Sequence, residues 1–329
     1  MSKSTCDVEA EESRNLFMIL SPRSLPYAQK CVSSLFANSV ERLNIRFLTD
    51  SAKDKDALED TICQLSNPYK QPWSVFSDED VEQLSLAQWE TFPELQSFRH
   101  GHPCWRKVTD PLLFTEEGGE MIVLDPDLYF PNRFTFEPTP ESGVLLMWQR
   151  PNCMLPPQTV RTAMDSAIRL ARHVDIGVAQ WRAGHDLGWF DWLLGRLGGK
   201  DIPRVMHVES IVWSALLMRF GGGHLDPRRW HCWRRGQLKR ISLKLGASGV
   251  AILRGENFKR MKCFHAGGDA KWWICDAQRA GFLDPSLNLL EPSPIRQPVE
   301  LTRWRFEAEQ KAKDLLQRMG YYNLFAQFA

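Results

Sequence analysis

The stretch EMIVLDPDLYF, residues 120–130, sets Asp125 and Asp127 one residue apart between two apolar runs. Carboxylates in such a place either face water at a turn or hold a cation. Mg²⁺ and Mn²⁺ take oxygen ligands and leave positions for the phosphate oxygens of a substrate. A second stretch, FHAGGDAKWW at 264–273, places His265 ahead of Gly267, Gly268, Lys271, Trp272 and Trp273. An imidazole nitrogen can join a Mn²⁺ shell. Glycines let backbone N–H groups approach an anion, and a lysine offers a point charge to a phosphate. Without a ligand, the same residues read as a strand end, a glycine turn and core tryptophans. The residue types alone leave both readings open.

The elements that must position these groups follow from periodicity. Short apolar runs at 16–20, 43–50 and 73–77 read as strands. They alternate with helical patterns at 27–39, 55–65 and 78–92. Residues 121–127 form a further buried strand, followed by strand-like runs at 143–149 and 175–182. Helices are expected over 156–171, where Pro156 stands early, and over 207–223, closed by glycines. Residues 240–245, 250–255 and 261–266 read as three more strands. The proline-rich segment 283–298 reads as a linker or a surface strap, and 299–322 as a charged amphipathic helix. Alternating strands and helices predict an α/β protein with a mostly parallel central sheet and helices on both faces. In such a sheet, ligands gather outside the carboxyl ends of the strands, where Asp125 and Asp127 fall.

Taken together, four ordered pieces resemble glycosyltransferase family 8, the retaining GT-A sugar transferases. HAGGDAKWW is similar to the family's H-x-x-G-x-x-K-P-W signature, with Trp272 in place of proline. Asp125-Pro126-Asp127 falls at its D-x-D. VDIGVAQWR resembles the F-N-S-G-V strand, with Asp175 for asparagine. HVESIVWS, at 207–214, resembles the D-Q-x-x-x-N helix, with Glu209 for aspartate and Ser210 for glutamine. The resemblance spans roughly residues 15–275.

The resemblance implies a GT-A, Rossmann-like catalytic domain over 15–282. Ahead of it would lie a disordered tail at 1–14, and behind it a helical extension at 283–329. It implies Mn²⁺ (or Mg²⁺) on Asp125, Asp127 and His265. It implies a nucleotide-sugar donor, a UDP-sugar, whose diphosphate meets Gly268 and Lys271, with Arg106 and Lys107 as the basic residues upstream of the D-x-D. Tyr27 would stack on the base, with Ser21 in the stretch ahead of it; the acidic residue that normally precedes this tyrosine is absent from SPRSLPY. Glu209, Asp175 and Ser210 would lie near the reacting sugar. The expected activity is hexosyl transfer with retention to a glycan, lipid or protein acceptor. Two alternatives accompany it. One is a nucleotide-sugar-binding protein without turnover, because Ser210 replaces a glutamine close to the reacting carbon and Glu209 replaces an aspartate. The other is a D-x-D phosphoryl-transfer enzyme, which the mid-chain position of the motif and the Leu-Tyr-Phe after it argue against.

The chain has 329 residues and a net charge of +1, so no global field selects nucleic acid or an anionic surface. Eight cysteines without a C-x-x-C pair argue against a zinc site or a disulfide framework and suit a reducing compartment. The N-terminal residues lack a signal-peptide pattern, and no apolar run reaches the length of a membrane span. A cytoplasmic protein is expected. Residues 228–240 carry six basic residues around Trp230 and Trp233. This is either an anion-binding patch or a connection with its tryptophans inside and its arginines outside. It is too narrow to imply a nucleic-acid partner. Asp186 and Asp191 read as helix caps or surface charges, with sugar binding as the alternative.

Overall fold

The computed structural model describes residues 13–150, 152–184 and 186–321. Twelve strands run through them: β1 Arg14–Ile19, β2 Leu43–Leu48, β3 Trp73–Phe76, β4 Glu120–Leu124, β5 Leu128–Tyr129, β6 Arg133–Phe134, β7 Val144–Trp148, β8 Val174–Arg182, β9 Gly222–His224, β10 Trp230–Cys232, β11 Cys263–His265 and β12 Asn288–Leu289. The α-helices in the first half are α1 Leu25–Asn38, α2 Ala52–Ile62, α3 Asp78–Gln88, α4 Pro93–Arg99 and α5 Arg106–Leu113. Those in the second half are α6 Pro157–Asp165, α7 Leu187–Leu197, α8 Val208–Phe220, α9 Gln237–Lys244, α10 Gly249–Leu253, α11 Ala270–Arg279 and α12 Arg303–Arg318.

Ten strands form one mixed sheet in the order β3-β2-β1-β4-β8-β7-β10-β11-β5, with β9 beside β7. Its parallel half, β3 to β4, is covered by helices on both faces. Leu16, Met18, Ile122 and Leu124 face the core that includes α1 and α2. Phe17, Met121 and Val123 face the opposite core, which includes α3, α5, α7 and α8. A strand buried on both sides has no polar alternation, which is why these stretches read as continuous apolar runs. β8 runs antiparallel to both β4 and β7. The carboxyl ends of β4, β7, β10 and β11 therefore lie on one edge of the sheet, together with the amino end of β8. The expected α/β class, with a largely parallel sheet between helical layers, is the one observed.

Three expectations change. Residues 240–245 and 250–255 fall in or next to the helices α9 and α10, not in strands. A six-residue apolar-polar run fits both periods. Here Ser248 caps α10 by accepting from the Ala251 N–H at 3.2 Å, which closes off the extended alternative. The expected tail extends too far. Residues 1–12 lie outside the described residues, but Arg14 opens β1 and pairs with Glu41 at 2.8 Å and Glu120 at 2.6 Å. The helix expected over 156–171 ends at Asp165, after which Ala167 takes a positive φ.

The proline-rich segment is a strap. It pairs β12 with β6 and bridges His224 to Arg296 and Ala171 to Glu300. A buried carboxylate fastens its middle. Glu137, fully buried, accepts from Trp230 Nε1 at 2.7 Å, Lys262 Nζ at 3.0 Å and Ser293 N at 2.7 Å. Glu137→Ala would strand a buried ammonium and an indole N–H. The expected loss is about 3–5 kcal/mol, read as a lower denaturation midpoint in urea; an unchanged midpoint would show that the strap does not depend on this residue.

Candidate active site

Strand pairing builds the site. β4 ends at Leu124, opposite Val178 of β8, and the next N–H, that of Asp125, donates to Gly177 O at 2.9 Å. After Pro126 and Asp127 the chain turns into β5, which pairs antiparallel with β11 and sets Leu128 opposite His265. The Ala266 N–H then donates to Asp127 O at 2.9 Å. Two segments far apart in sequence are thereby brought together. His265 Nε2 stands 3.2 Å from Asp127 Oδ1 and 3.8 Å from Asp125 Oδ2.

The other ring nitrogen is fixed as well. His265 Nδ1 lies 2.8 Å from Asp175 Oδ1, which also accepts from the Gly177 N–H at 3.0 Å. Asp175 Oδ2 accepts from the Cys232 thiol at 3.3 Å. Gly177 is required by space. A Cβ there would fall 2.6 Å from His265 Nδ1.

A third layer comes from α5 and α8. Lys107 Nζ reaches Asp125 Oδ1 at 2.6 Å and Glu209 Oε1 at 2.9 Å. Glu209 Oε2 is buried with no hydrogen-bond partner among the described residues. These groups line a cavity of about 280 Å³ with Gln149, Ser210, Tyr27 and Lys271. On its rim, Lys271 Nζ sits 4.5 Å from the centre of the Tyr27 ring and 3.9 Å from Asp127 Oδ2. Trp272, about half exposed, meets Tyr27 edge to face at 5.2 Å.

The charges are strongly coupled. Burial works to lower the pKa of His265, but Asp175 and Asp127 outweigh it and hold the imidazole well above its ordinary value. Burial works to raise Asp127, yet His265 and Lys271 keep it below the usual carboxylate range. Asp125 is pushed up, first by burial and then by Asp127, against the pull of Lys107. Glu209 is pushed up to about 8 by burial, with Lys107 opposing and Asp125 adding to the rise. The ion pair with Lys107 and the raised pKa point in opposite directions for Glu209. Burial prevails because one ammonium serves two carboxylates.

The donor set suits a small divalent cation. Asp125, Asp127 and His265 offer ligand atoms within 4.8 Å of one another. With Nδ1–H directed at Asp175, Nε2 presents its lone pair toward the two aspartates, the usual way a carboxylate orients a ligating histidine. A proton on Nε2 and a cation would compete for that lone pair. Asp175, Cys232 and His265 form a second close group. Burial pushes the Cys232 thiol up to about 12, and both Asp175 oxygens in this group are already engaged, with His265 and with the thiol itself.

The structure gathers Asp125, Asp127, His265, Lys107, Lys271, Tyr27, Asp175, Glu209 and Ser210 around one cavity. Asp175, expected near the donor sugar, is engaged with His265. Arg106 is not brought in. Its side chain bonds Asp110 at 2.7 Å and Thr49 O at 3.1 Å, because neighbouring helix residues point about 100° apart. Ser21 precedes a short helical turn, and Gly268 lies in the turn before α11 with φ +65; neither lines the cavity. Asp186 accepts from Trp189 N at the start of α7, and Asp191 from the Glu94 and Leu95 N–H groups of α4, so both act as caps. Gln149, Cys104, Cys153 and His207 line the cavity without having been expected there. Gln149 follows the apolar run of β7 just as Asp125 follows that of β4, which is a signal the sequence does offer.

No protein-family model and no curated protein sequence matches the chain. Solved structures similar to it include mouse xyloside xylosyltransferase 1 in its apo form, at 14% identity over 79% of this chain and 99% of that one, with a TM-score of 0.48. The galactosyltransferase LgtC in complex with donor and acceptor sugar analogs aligns at 11% identity over 81% and 92%, with a TM-score of 0.42. The mannosyltransferase Ktr4p from S. cerevisiae aligns at 13% identity over 64% and 67%, with a TM-score of 0.40. With TM-scores below 0.5, these likenesses transfer no residue's role to this chain.

Gly177→Ala tests whether the imidazole must stand where it does. The added methyl would displace the ring, and Mn²⁺ affinity is expected to fall by about 10–100-fold in a titration followed by electron paramagnetic resonance. Wild-type affinity in a folded variant would show that His265 takes no part in holding a cation.

Proposed function

We propose that this protein is a metal-dependent glycosyltransferase that moves a hexosyl group from a nucleotide-diphosphate sugar to an acceptor hydroxyl. The observation that carries this reading is the convergence of Asp125, Asp127 and His265 on a cavity that also holds an amine, Lys271, and an unsatisfied carboxylate oxygen, Glu209 Oε2. Asp125, Asp127 and His265 would hold Mn²⁺ or Mg²⁺. When bound, the cation would neutralise the charge that grows on the departing nucleoside diphosphate.

The remaining groups divide the work. Lys271 supplies a fixed positive charge to the diphosphate. Tyr27 and the half-exposed Trp272 offer flat faces at the rim, suited to a base or a sugar. Lys107 holds Asp125 by one oxygen and leaves the other directed to the cavity. Glu209 is the group placed to meet a hydroxyl of the transferred sugar or the acceptor. A carboxyl that burial raises well above its usual range can hold a proton there and release it. Uridine as the base and retention at the anomeric carbon come from the motif resemblance. Cytoplasmic residence is in keeping with the free cysteines among the described residues. A glycan, lipid or protein acceptor likewise comes from the motif resemblance.

Thermal shift with nucleoside diphosphates and their sugars, with and without Mn²⁺, tests the binding half. A ligand at one hundred times its dissociation constant adds about 2.7 kcal/mol, a rise of several degrees. The rise is expected for UDP with Mn²⁺ and not for UDP alone, and Asp127→Ala is expected to abolish it without unfolding the protein. An equal rise in wild type and variant would refute the metal assignment. Glu209→Gln tests the catalytic half. It should keep the Mn²⁺-dependent rise while donor turnover drops by about 10²–10⁴-fold. A wild type that binds UDP tightly but never consumes a UDP-sugar, even with a panel of acceptors, would identify a binding protein instead.

A further inference from the structure

Helix α9 carries its apolar side chains outward. Leu238 and Ile241 of α9 and Leu245, which caps its end, recur at the spacing of one helical face and are 80%, 47% and 82% exposed. No residue of α9 is buried. A helix at a protein surface ordinarily turns that stripe toward the core, and a contiguous exposed apolar patch marks an interaction surface.

The charge around the stripe is one-sided. Residues 227–255 contain eight lysines and arginines and no aspartate or glutamate. Arg234, Lys244 and Arg254 are exposed. The two carboxylates nearby are engaged: Glu256 pairs with Lys239, and Asp269 pairs with Arg235 at 2.9 Å. The C-terminal helix α12 also exposes apolar residues, but Glu307, Glu309 and Asp314 interrupt its positive charge.

The patch adjoins the cavity. The Trp233 N–H, just before α9, donates to His265 O at 3.0 Å. Arg235 pairs with Asp269, which immediately precedes α11 and stands two residues before Lys271. α10 packs on α11 through Gly249 and Trp273.

From outward Leu238, Ile241 and Leu245 within a purely cationic segment, we infer that α9 docks the protein on an anionic lipid bilayer. The leucines enter the interface, and the surrounding lysines and arginines meet the lipid headgroups. Charge complementarity favours a bilayer of acidic lipids over a second copy of this chain, whose matching face would carry the same positive charge. This surface would hold the cavity beside the membrane. The inference stands apart from the donor chemistry, because the patch shares no residue with the cavity lining.

Sedimentation of the full chain with vesicles tests it, without metal or nucleotide. Binding is expected to vesicles of phosphatidylcholine with phosphatidylglycerol and not to vesicles of phosphatidylcholine alone, and it should weaken with added salt. The double substitution Leu238→Ser, Leu245→Ser removes only exposed groups, so the melting temperature should hold while partitioning falls by about tenfold or more. Failure to bind the acidic vesicles overturns the inference, and so does equal binding by the variant. Concentration-dependent self-association lost in the variant, without vesicle binding, would assign the face to a second copy instead.

Discussion

The antiparallel contact between β5 and β11 is the constraint on which the site depends. It covers only two residue pairs, Phe264 with Tyr129 and His265 with Leu128. Yet it brings an imidazole from late in the chain against carboxylates that follow the central strand. β11 is held in turn by its parallel pairing with β10, and β10 by β7. The position of His265 is thus set by the sheet rather than by a flexible loop. Groups carried on strand ends are held closely enough for the sub-ångström tolerances that coordination and catalysis demand.

Around that contact, the protein has accumulated negative charge in a place with little water. Asp125, Asp127, Asp175 and Glu209 all face the same small volume. Buried carboxylates repel one another and lose hydration, so such a cluster needs cations. Lys107 compensates Asp125 and Glu209, and the imidazolium compensates Asp127 and Asp175. The compensation is incomplete: Asp125, Asp127 and His265 offer ligand atoms within 4.8 Å of one another, where a divalent ion would displace the Nε2 proton and complete the balance. Glu209 keeps one oxygen unsatisfied, which is costly for folding unless a ligand hydroxyl meets it. The site is stable enough to form and poised to gain when a cation and a hydroxylated ligand arrive.

The periphery follows a different logic. Glu137 is saturated with hydrogen bonds and ties the strap to the sheet, so its charge is structural. In the basic segment, Trp230 and Trp233 are buried, while Arg234 and Lys244 are exposed. These burials match the reading of that segment as a connection with its tryptophans inside and its arginines outside. The same chain therefore places charge inside around the cavity, inside where it braces the strap, and outside beside exposed apolar side chains.

The sequence by itself determined the alternation of strands and helices, the buried character of 121–124, and the residue types able to bind a cation and a diphosphate. These are local properties. Runs buried on both faces, helical spacing and glycine turns show in a few consecutive letters. It misjudged 240–245 and 250–255, because so short a run satisfies two periods at once. It paired Arg106 with Lys107 as equivalent neighbours, although a helix turns them to different sides. The motif resemblance joins His265 to Asp125 and Asp127; what only the tertiary structure decided is how the further distant groups meet: Asp175 as the partner of Nδ1, and Lys107 between Asp125 and Glu209. Those contacts depend on strand order and register across the whole sheet, and no local pattern encodes which strand lies beside which.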